Sequence, residues 1–200
     1  METSLSDKHI TIVINTYNEE KNIRACIESA RCLSDDIIVV DTQSNDKTVS
    51  IAKSMNAKVY NVDYASYVEP SRQFSIEKAK GPWVFLLDAD ERITLELSLE
   101  INKKVINSRY SYYKVPRKNI FAGRWLKHGG WYPARTIKLL DKNYLKKWPR
   151  EIHSSPEMEG ECGELRQDLI HYFHPSLQNM VSKTSIFEDI ESNLLFRADK

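Results

Sequence analysis

Residues 83–92 read WVFLLDADER, and this stretch decides the fold. Its first five residues are apolar without interruption, which is typical of a short strand that a parallel sheet buries on both faces. Gly81-Pro82 stands before the run and ends the helical pattern that precedes it. Asp88 and Asp90 follow at the carboxyl end of the strand. Because open α/β sheets bind ligands beyond the carboxyl ends of their strands, the two aspartates are expected to face a ligand.

Three more short apolar runs lie toward the N-terminus, at residues 9–14, 37–40 and 58–62. Patterns typical of helices separate these runs, and the last of them, residues 71–80, leads into WVFLLDADER. Alternation of strand and helix predicts an α/β fold with a mostly parallel central sheet and helices on both faces.

Polar residues follow the predicted strands at the points where they end. Residues 15–19 (NTYNE) follow the first run and Asp41 follows the second. With Asp88 and Asp90 they form three clusters that the fold is expected to bring to one edge of the sheet. Asn18 is expected to cap the helix after the first strand, and residues 44–46 to form a turn and cap before the next helix.

The second half of the chain has a different pattern, with the change near residue 108. A predicted helix at residues 95–107 closes the first half. The predicted elements that follow are three strands at residues 110–116, 136–140 and 165–172, and a final helix at 177–197. Residues 1–107 are therefore predicted to form a nucleotide-binding half, and residues 108–200 a smaller mixed lobe of the same domain.

Composition gives few constraints on function. The chain has 200 residues, 41% hydrophobic and 28% charged, with a net charge of +1, so bulk charge favours neither nucleic acid nor membrane as a partner. Its three cysteines have no spacing typical of a disulfide framework or a zinc site. The start has no basic region before an apolar run, and no apolar stretch approaches the roughly 20 residues that span a bilayer. We therefore expect a cytoplasmic protein, with peripheral contact to the inner face of the cytoplasmic membrane left open.

The acidic residues suggest metal and nucleotide chemistry. Carboxylates such as Asp88 and Asp90 suit a hard divalent cation whose remaining ligands are phosphate oxygens. Asp41 is expected either to accept a hydrogen bond from a base N–H or to cap the turn after its strand. Arg72 is expected either to pair with a diphosphate or to lie on the surface.

Aromatic and histidine residues of the second half have alternative interpretations. Residues 121–133 (FAGRWLKHGGWYP) carry Trp131 and Tyr132, which would either pack on sugar faces or form the core of the second lobe. His128 lies beside two glycines, where the backbone can approach a ligand closely. The three later histidines suit bases, metal ligands or structural roles. They are His153, His171 and His174.

Five stretches together resemble family 2 glycosyltransferases, whose fold is the GT-A type Rossmann-like nucleotide-sugar-binding fold. The stretches are ITIVINTYNEEKNI, IIVVDTQSNDKT, SRQFSIEKAKGPWVFLLDADERI, GGWYP and LIHYFH. Their order and spacing are similar to the WaaE-like branch, the lipopolysaccharide-core and capsule glucosyltransferases of bacteria. The resemblance covers roughly residues 9–185, and members of the branch usually continue past the final helix.

The resemblance implies inverting transfer of a sugar from a nucleotide-sugar donor, with Mg²⁺ or Mn²⁺, to a hydroxyl of a saccharide or glycolipid. It assigns a role to residues of each motif by position. Asn15, Tyr17, Glu19 and Asp41 would contact the base and ribose. Arg72 would lie near the diphosphate, Asp88 would contact the ribose or sugar, and Asp90 would bind the metal.

Two positions depart from the family pattern. The second motif reads Asp41-Thr42-Gln43-Ser44 where the family often has a glycine at the third position, and losing that glycine is expected to change the turn. The chain has His153-Ser154 where the branch commonly has His-Glu. That glutamate is the natural base, so His153, Glu151 and Glu157 are the candidates that remain.

Other functions remain as alternatives. Aspartate-nucleophile phosphatases also end an apolar strand in D-x-D, but they need Thr or Val where this chain has Arg92. A sugar nucleotidyltransferase needs a glycine-rich loop after the first strand, and residues 15–20 contain no glycine. A non-catalytic nucleotide-sugar-binding domain fits a chain that has lost the branch's glutamate.

Overall fold

The computed structural model describes residues 9–65 and 67–198. The first half alternates strands and helices as the sequence predicts. The elements are β1 (Ile10–Thr16), α1 (Ile23–Ala30), β2 (Ile37–Asp41), α2 (Thr48–Ser54), β3 (Lys58–Asn61), α3 (Glu69–Glu77) and β4 (Trp83–Asp88). The expectation about a signal peptide concerns residues 1–8, which lie outside the described ranges.

Two further elements close the first half, β5 (Glu91–Arg92) and α4 (Leu95–Val105). The elements of the second half are β6 (Tyr112–Phe121), β7 (Arg124–Trp125), β8 (Ala134–Asp141), β9 (Leu145–Lys147), β10 (Glu157–Met158), β11 (Cys162–Glu164), β12 (Leu169–His174) and α5 (Leu177–Ala198). One turn of 3₁₀ helix, Lys142–Tyr144, joins β8 to β9. The predicted strand at residues 165–172 is replaced by β11 and β12, with residues 165–168 between them.

The first four strands are parallel, in the order β3-β2-β1-β4. The register places Asn15 opposite Asp88 and Thr16 opposite Asp41. The carboxyl ends of β1, β2 and β4 therefore meet at one edge. The predicted convergence of the polar clusters on that edge is confirmed.

Helices cover this sheet on both faces because its strands are apolar on both. Ile12 and Ile14 point to the face that α1 and α4 cover, where Ile27 and Leu97 are fully buried. Val13 points to the opposite face, against α3. Burying one such side chain is worth roughly 1.5–3 kcal/mol relative to exposing it.

The second half extends the same sheet. β8 pairs antiparallel with β4, and the sheet continues through β6 and β12 to β5. β5 belongs to the first half of the chain, yet it pairs with β12 of the second. The hydrogen-bonded ladder therefore crosses the boundary near residue 108. The α/β class and the mostly parallel arrangement of the nucleotide-binding half are confirmed.

Two details of the helix starts differ from the predictions. Asn18 does not cap α1, which begins at Ile23; Asn18 has a left-handed backbone (φ 53°), and its side-chain oxygen accepts a hydrogen bond from the Asn45 N–H. Helix α3 begins at Glu69, two residues earlier than predicted, so Arg72 lies in its second turn rather than at its start. Residues 44–46 form the predicted turn, and Asp46 accepts a hydrogen bond from the N–H of Thr48, the first residue of α2. The N-cap position itself is Lys47, whose side chain makes no capping bond.

Candidate active site

A cavity of about 320 Å³ opens at the carboxyl ends of β1 and β4, and is called here the strand-end cavity. Six of the residues that the sequence marked for donor or metal binding line it. They are Asn15, Tyr17, Glu19, Arg72, Asp88 and Asp90. Residues from distant parts of the chain complete its wall, among them Thr42, Tyr67, His171 and Phe187. Sequence reasoning thus identified about half of this wall, mostly at strand ends and in addition Arg72 on α3.

Asp88 lies between two cations. Its Oδ1 accepts a hydrogen bond from Arg72 at 2.5 Å, and its Oδ2 accepts one from Lys138 at 2.6 Å. Burial alone would raise the pKa of the Asp88 carboxyl, but the two cations outweigh burial and hold that pKa well below its usual range. Lys138 also donates to Glu91 at 2.6 Å. Because both oxygens of Asp88 are held by cations, its predicted role as a metal ligand is not supported in this arrangement.

Arg72 connects β4 to the end of β1. The guanidinium is 6% exposed and, besides Asp88, donates to Oδ1 of Asn15 at 3.2 Å. The amide nitrogen of Asn15 donates to Ser71 and Ser75 on α3. Arg72 is therefore not a surface arginine, and Asn15 fixes α3 against the strand end.

Asp90 faces a histidine rather than a second carboxylate. Nε2 of His171 lies 3.6 Å from Oδ2 of Asp90. The other ring nitrogen, Nδ1, is 2.6 Å from Oδ1 of Asn119 on β6. Since an amide oxygen only accepts, Nδ1 carries a proton, and Nε2 is the ring nitrogen on the side of Asp90.

A carboxylate and an imidazole nitrogen could together hold a divalent cation once phosphate oxygens and water supply the other ligands. Within the described ranges, no group of three or more His, Cys, Asp and Glu side chains is arranged to hold a metal ion. Asp90 and His171 are therefore the two side chains at this point of the cavity that could hold one, with His171 rather than Asp88 beside Asp90.

Glu19 and Tyr17 line the outer part of the strand-end cavity. Oε2 of Glu19 accepts a hydrogen bond from Asn22, while burial and the nearby Asp90 raise the pKa of the Glu19 carboxyl. The ring of Tyr17 lies 4.8 Å from that of Tyr64 and is half exposed, so it offers a flat surface to a ligand.

Asp41 is 1% exposed and does not line the strand-end cavity. Its carboxylate accepts hydrogen bonds from the backbone N–H and the hydroxyl of Ser44, and from the hydroxyl of Thr16. Of the two predicted roles, capping the turn is the one observed, and reading a base stays a prediction. Gln43 has a φ of 64°, so the left-handed turn is kept without glycine, contrary to the expectation that it would change.

A second cavity of about 340 Å³ adjoins the first, and the two share Val68, Arg72 and Asp88. It is called the basic cavity here because four cationic side chains line it. They are Arg72, Arg117, Arg135 and Lys138. The loop after β9 closes its other side, with Trp148, His153 and Ser154.

The three candidate bases lie in different places. His153 lines the basic cavity, and its Nε2 is 3.1 Å from a carboxylate oxygen of Glu191 on α5. Its backbone N–H donates to Glu69, a buried carboxylate that also lines this cavity. Glu151 and Glu157 line none of the cavities described here, so the structure does not bring them to the strand ends.

The aromatic loop contacts the site only indirectly. Trp131 is 39% exposed and packs on Phe173, which in turn contacts the ring of His171. Tyr132 packs edge-on against Trp125 and donates to Asp168. His128 is exposed, and none of the three predicted acceptor residues, Trp131, Tyr132 and His128, lines the strand-end cavity or the basic cavity.

Sequence reasoning missed Lys138 altogether. A signal was present, because a lysine inside the apolar run of residues 136–140 (TIKLL) must pair with acids once it is buried. The sequence left His171 with the same open roles as His153 and His174, because its partner, Asn119, is 52 residues away in sequence. No local pattern could join them.

Comparison with known proteins agrees with this geometry. The fold and site define a nucleotide-sugar-dependent glycosyltransferase, and the family model for glycosyl transferase family 2 matches residues 11–157. The chain belongs to glycosyltransferase family 2. The predicted resemblance is thereby confirmed, and the aspartate-nucleophile phosphatase alternative is not supported.

Individual relatives cover most of the chain. An uncharacterized glycosyltransferase of Rickettsia bellii is 39% identical over 220 residues, which cover 99% of this chain and 71% of the relative. The lipopolysaccharide core biosynthesis glycosyltransferase LpsC of Rhizobium meliloti is 26% identical over 175 residues, 83% of this chain and 63% of LpsC.

The crystal structure of S. aureus TarS 1–349 in complex with UDP is similar in fold. It superposes with a TM-score of 0.63 at 19% identity, covering 88% of this chain and 63% of TarS. The match confirms the GT-A fold. In the described part of the chain, no helix has the length and apolar character needed to cross a bilayer.

Proposed function

We propose that the chain is an inverting glycosyltransferase that moves a hexose from a UDP-sugar to a hydroxyl of a saccharide or glycolipid. The observation that carries the proposal is the strand-end cavity, where Asp90 and His171 face each other beside the cation-held Asp88. The name of LpsC supports a saccharide of the lipopolysaccharide core as acceptor. The UDP complex of TarS supports UDP as the nucleotide.

The strand-end cavity suits the donor. In this proposal the base packs on the exposed face of Tyr17, and Glu19 contacts the ribose. Arg72 lies near the diphosphate while it holds Asp88 beside the reacting sugar. Asp90 and Nε2 of His171 would hold Mg²⁺ or Mn²⁺, which when bound neutralises charge on the departing diphosphate.

The reaction is a single displacement at the anomeric carbon. The acceptor oxygen forms a bond to that carbon as the bond from the carbon to the diphosphate oxygen breaks, and the hydroxyl proton passes to a base of the chain. His153 is the base we propose, since of the three candidates it alone lines the cavity next to Asp88. Holding donor and acceptor in line supplies much of the acceleration.

Metal-dependent nucleotide binding is the direct test. We expect UDP to bind in calorimetric titration with Mn²⁺ and to bind much more weakly after chelation. Asp90→Asn should remove the Mn²⁺-dependent part of the affinity, because it removes a charged ligand. The matched control is Asp35→Asn, an exposed aspartate distant from the cavity. Equal UDP affinity in parent and Asp90→Asn, with and without metal, contradicts the assignment.

A non-catalytic nucleotide-sugar-binding domain is the second candidate, favoured by Ser154 in place of a glutamate. Nucleotide release separates the two functions. An enzyme should release UDP from one of the common UDP-, GDP- or dTDP-sugars over time. A binding domain should bind the same donor without turnover. A glycolipid acceptor would bring the chain to the inner face of the cytoplasmic membrane, a part of the proposal that rests on the family resemblance.

A further inference from the structure

The basic cavity contains a guanidinium with no hydrogen bond. Arg117 lies on β6 with its side chain 25% exposed. The nearest carboxylate oxygen, Oε1 of Glu91, is 3.7 Å from Nη1, which is too far for a hydrogen bond. No acceptor in the described ranges reaches Nε of Arg117. A guanidinium has five donors and is always charged, so leaving it unpaired in a largely buried position costs free energy.

Other unpaired polar atoms belong to the same cavity. Six buried side-chain nitrogen and oxygen atoms of the described residues have no partner, and four of them belong to residues that line the basic cavity. They are Nε of Arg72, Nε of Arg117, Oγ1 of Thr136 and Nε1 of Trp148. Since native proteins satisfy nearly all buried polar groups, such clustering indicates that the basic cavity suits a ligand with hydrogen-bonding groups of its own.

Charge decides the kind of ligand. Asp88 and Glu91 already pair with Arg72 and Lys138 at 2.5–2.6 Å. Four cations line the basic cavity, whereas the carboxylates among them are Glu69, Asp88 and the fully buried Glu91, so positive charge exceeds negative charge by one. Arg135 donates to the Leu165 carbonyl and lies 3.7 Å from the carboxylate of Glu164. The Nη atoms of Arg117 are thus the free donors, and a planar guanidinium matches a carboxylate or phosphate in bidentate fashion.

Position decides which substrate carries the anion. The basic cavity shares Val68, Arg72 and Asp88 with the strand-end cavity, so its occupant lies against the donor sugar. We propose that the basic cavity binds a carboxylate or phosphate group of the acceptor, and that Arg117 recognises it. The assignment of the anion to the acceptor rests on the proposed function. The presence of an anion site at Arg117 does not.

Inorganic phosphate is the probe for the site alone. The full chain is titrated with phosphate in the presence of Mg²⁺, as parent, Arg117→Gln and Arg117→Lys. Because hydrogen bonds to charged groups are among the stronger ones, we expect Arg117→Gln to bind phosphate about tenfold or more weakly. The phosphate affinity of Arg117→Lys should lie between those of the parent and Arg117→Gln, since lysine keeps the charge but cannot donate two parallel hydrogen bonds. Arg24→Gln, an exposed arginine on α1, is the matched control and should bind as the parent does.

Matched sugars test the acceptor assignment. Transfer is measured to glucose, glucose 6-phosphate and glucuronate, and we expect the parent to prefer the charged members and Arg117→Gln to lose that preference. The UDP affinity of Arg117→Gln should stay within about twofold of the parent's, which would show that the strand-end cavity is intact. If Arg117→Gln fails to fold, the acceptor preference of Arg117→Lys is compared with that of the parent instead.

Three results would overturn the proposal. The first is equal phosphate binding by parent and Arg117→Gln. The second is no preference of the parent for charged acceptors. The third is an Arg117-dependent preference for UDP-glucuronate over UDP-glucose, which would place the anion on the donor sugar. Absence of UDP binding by the parent would instead refute the proposed function, and the phosphate titration would still decide the anion site.

Discussion

Two aspartates two positions apart have different surroundings. Both oxygens of Asp88 accept hydrogen bonds from the cations Arg72 and Lys138, whereas Oδ2 of Asp90 lies 3.6 Å from Nε2 of His171, outside hydrogen-bond distance. A carboxylate held by two cations remains ionised, but its oxygens are engaged. The oxygens of Asp90 are not engaged in this way, so they suit a metal ion better. Partners, rather than residue type, therefore separate the roles of the two residues.

Asp41 provides a prediction at the same scale. Asparagine keeps the shape of Asp41 but loses the charge and one acceptor oxygen, so the hydrogen bonds from Ser44 and Thr16 are weakened. We expect Asp41→Asn to lower the free energy of unfolding by about 1–3 kcal/mol. We also expect UDP and pyrophosphate to lose affinity in parallel, because the turn beside the cavity loosens. Chemical denaturation and calorimetry measure the two effects.

The control for this substitution is Asp35→Asn, whose side chain is 86% exposed. It should change stability by less than about 0.5 kcal/mol. A loss of UDP affinity without loss of pyrophosphate affinity would show that Asp41 reads the base, as the family resemblance implies.

The sequence could predict which residues meet at the strand ends but not how they pair. Asn15, Asp41 and Asp88 follow apolar strands, and strand ends of a parallel sheet meet by geometry. The partners of Asp88 come from α3 and β8, and their approach depends on how the second half folds back on the first. Buried ion pairs of this kind depend on distances of a few tenths of an ångström, which no sequence period encodes.

At the scale of elements, the loop before α2 connects two chain segments. Oδ1 of Asp46 accepts hydrogen bonds from the N–H and the hydroxyl of Thr48, and Oδ2 accepts one from the Glu20 N–H. Desolvation raises the pKa of the Asp46 carboxyl, but these hydrogen bonds outweigh it and hold that pKa below its usual value. The loop that carries Glu19 is thus fixed by the start of α2.

Asp46→Ala should destabilise the protein by about 1 kcal/mol at pH 7, the typical value of a helix cap. A carboxyl whose pKa is lowered by folding contributes stability above its unfolded pKa of about 3.9, and that contribution is lost as pH falls through the folded pKa. The stability difference between parent and Asp46→Ala should therefore be constant from pH 7 to pH 5 and shrink below about pH 4. Urea denaturation at a series of pH values measures it.

The matched control for Asp46 is Asp46→Asn, which keeps a side-chain oxygen for the Thr48 N–H. Asp46→Asn should lose less stability than Asp46→Ala at pH 7. Its stability difference from the parent should narrow over the same acid range, because the carboxyl that titrates belongs to the parent. A stability difference for Asp46→Ala that grows as pH falls would show that the carboxyl is not stabilised by folding.

Element types in the first half were predictable because apolar runs of a parallel sheet are short and bounded by turns. The misplaced start of α3 has a physical cause. Pro70 is well placed in the first turn of a helix, where its missing N–H costs nothing, so α3 could begin at Glu69. In the second half, long irregular loops and two-residue strands such as β7 are set by pairing with β6 rather than by their own sequence.

At the scale of the whole molecule, one sheet joins the two halves and carries the cavities at their junction. β4 ends in Asp88 on one side of the junction, and β8 supplies Lys138 from the other. The strand-end cavity could be predicted in part because its motifs are local. The basic cavity could not, because residues of β6, β8 and the loop after β9 reach it by long-range packing.

The C-terminal helix α5 reaches back to this junction. Phe187 lines the strand-end cavity, and Glu191 lies 3.1 Å from Nε2 of His153. A carboxylate at Nε2 favours the tautomer with its proton on Nε2, which leaves Nδ1 as the acceptor. The helix thereby orients the histidine that we propose as the base.

The last prediction separates His153 from the other candidates by turnover and donor affinity together. His153→Ala should lower transfer at least about a hundredfold, the usual contribution of a general base, with UDP affinity unchanged. Glu191→Gln should lower transfer by less, because Glu191 orients the ring of His153 and does not itself take the proton. Glu151→Gln, which lines neither cavity, and Glu188→Gln, an exposed glutamate of α5, should keep parental turnover. Near-parental transfer by His153→Ala would exclude it as the base. In that case Glu69→Gln is the next variant to measure, since Glu69 is the other carboxylate, besides the cation-held Asp88, that lines the basic cavity.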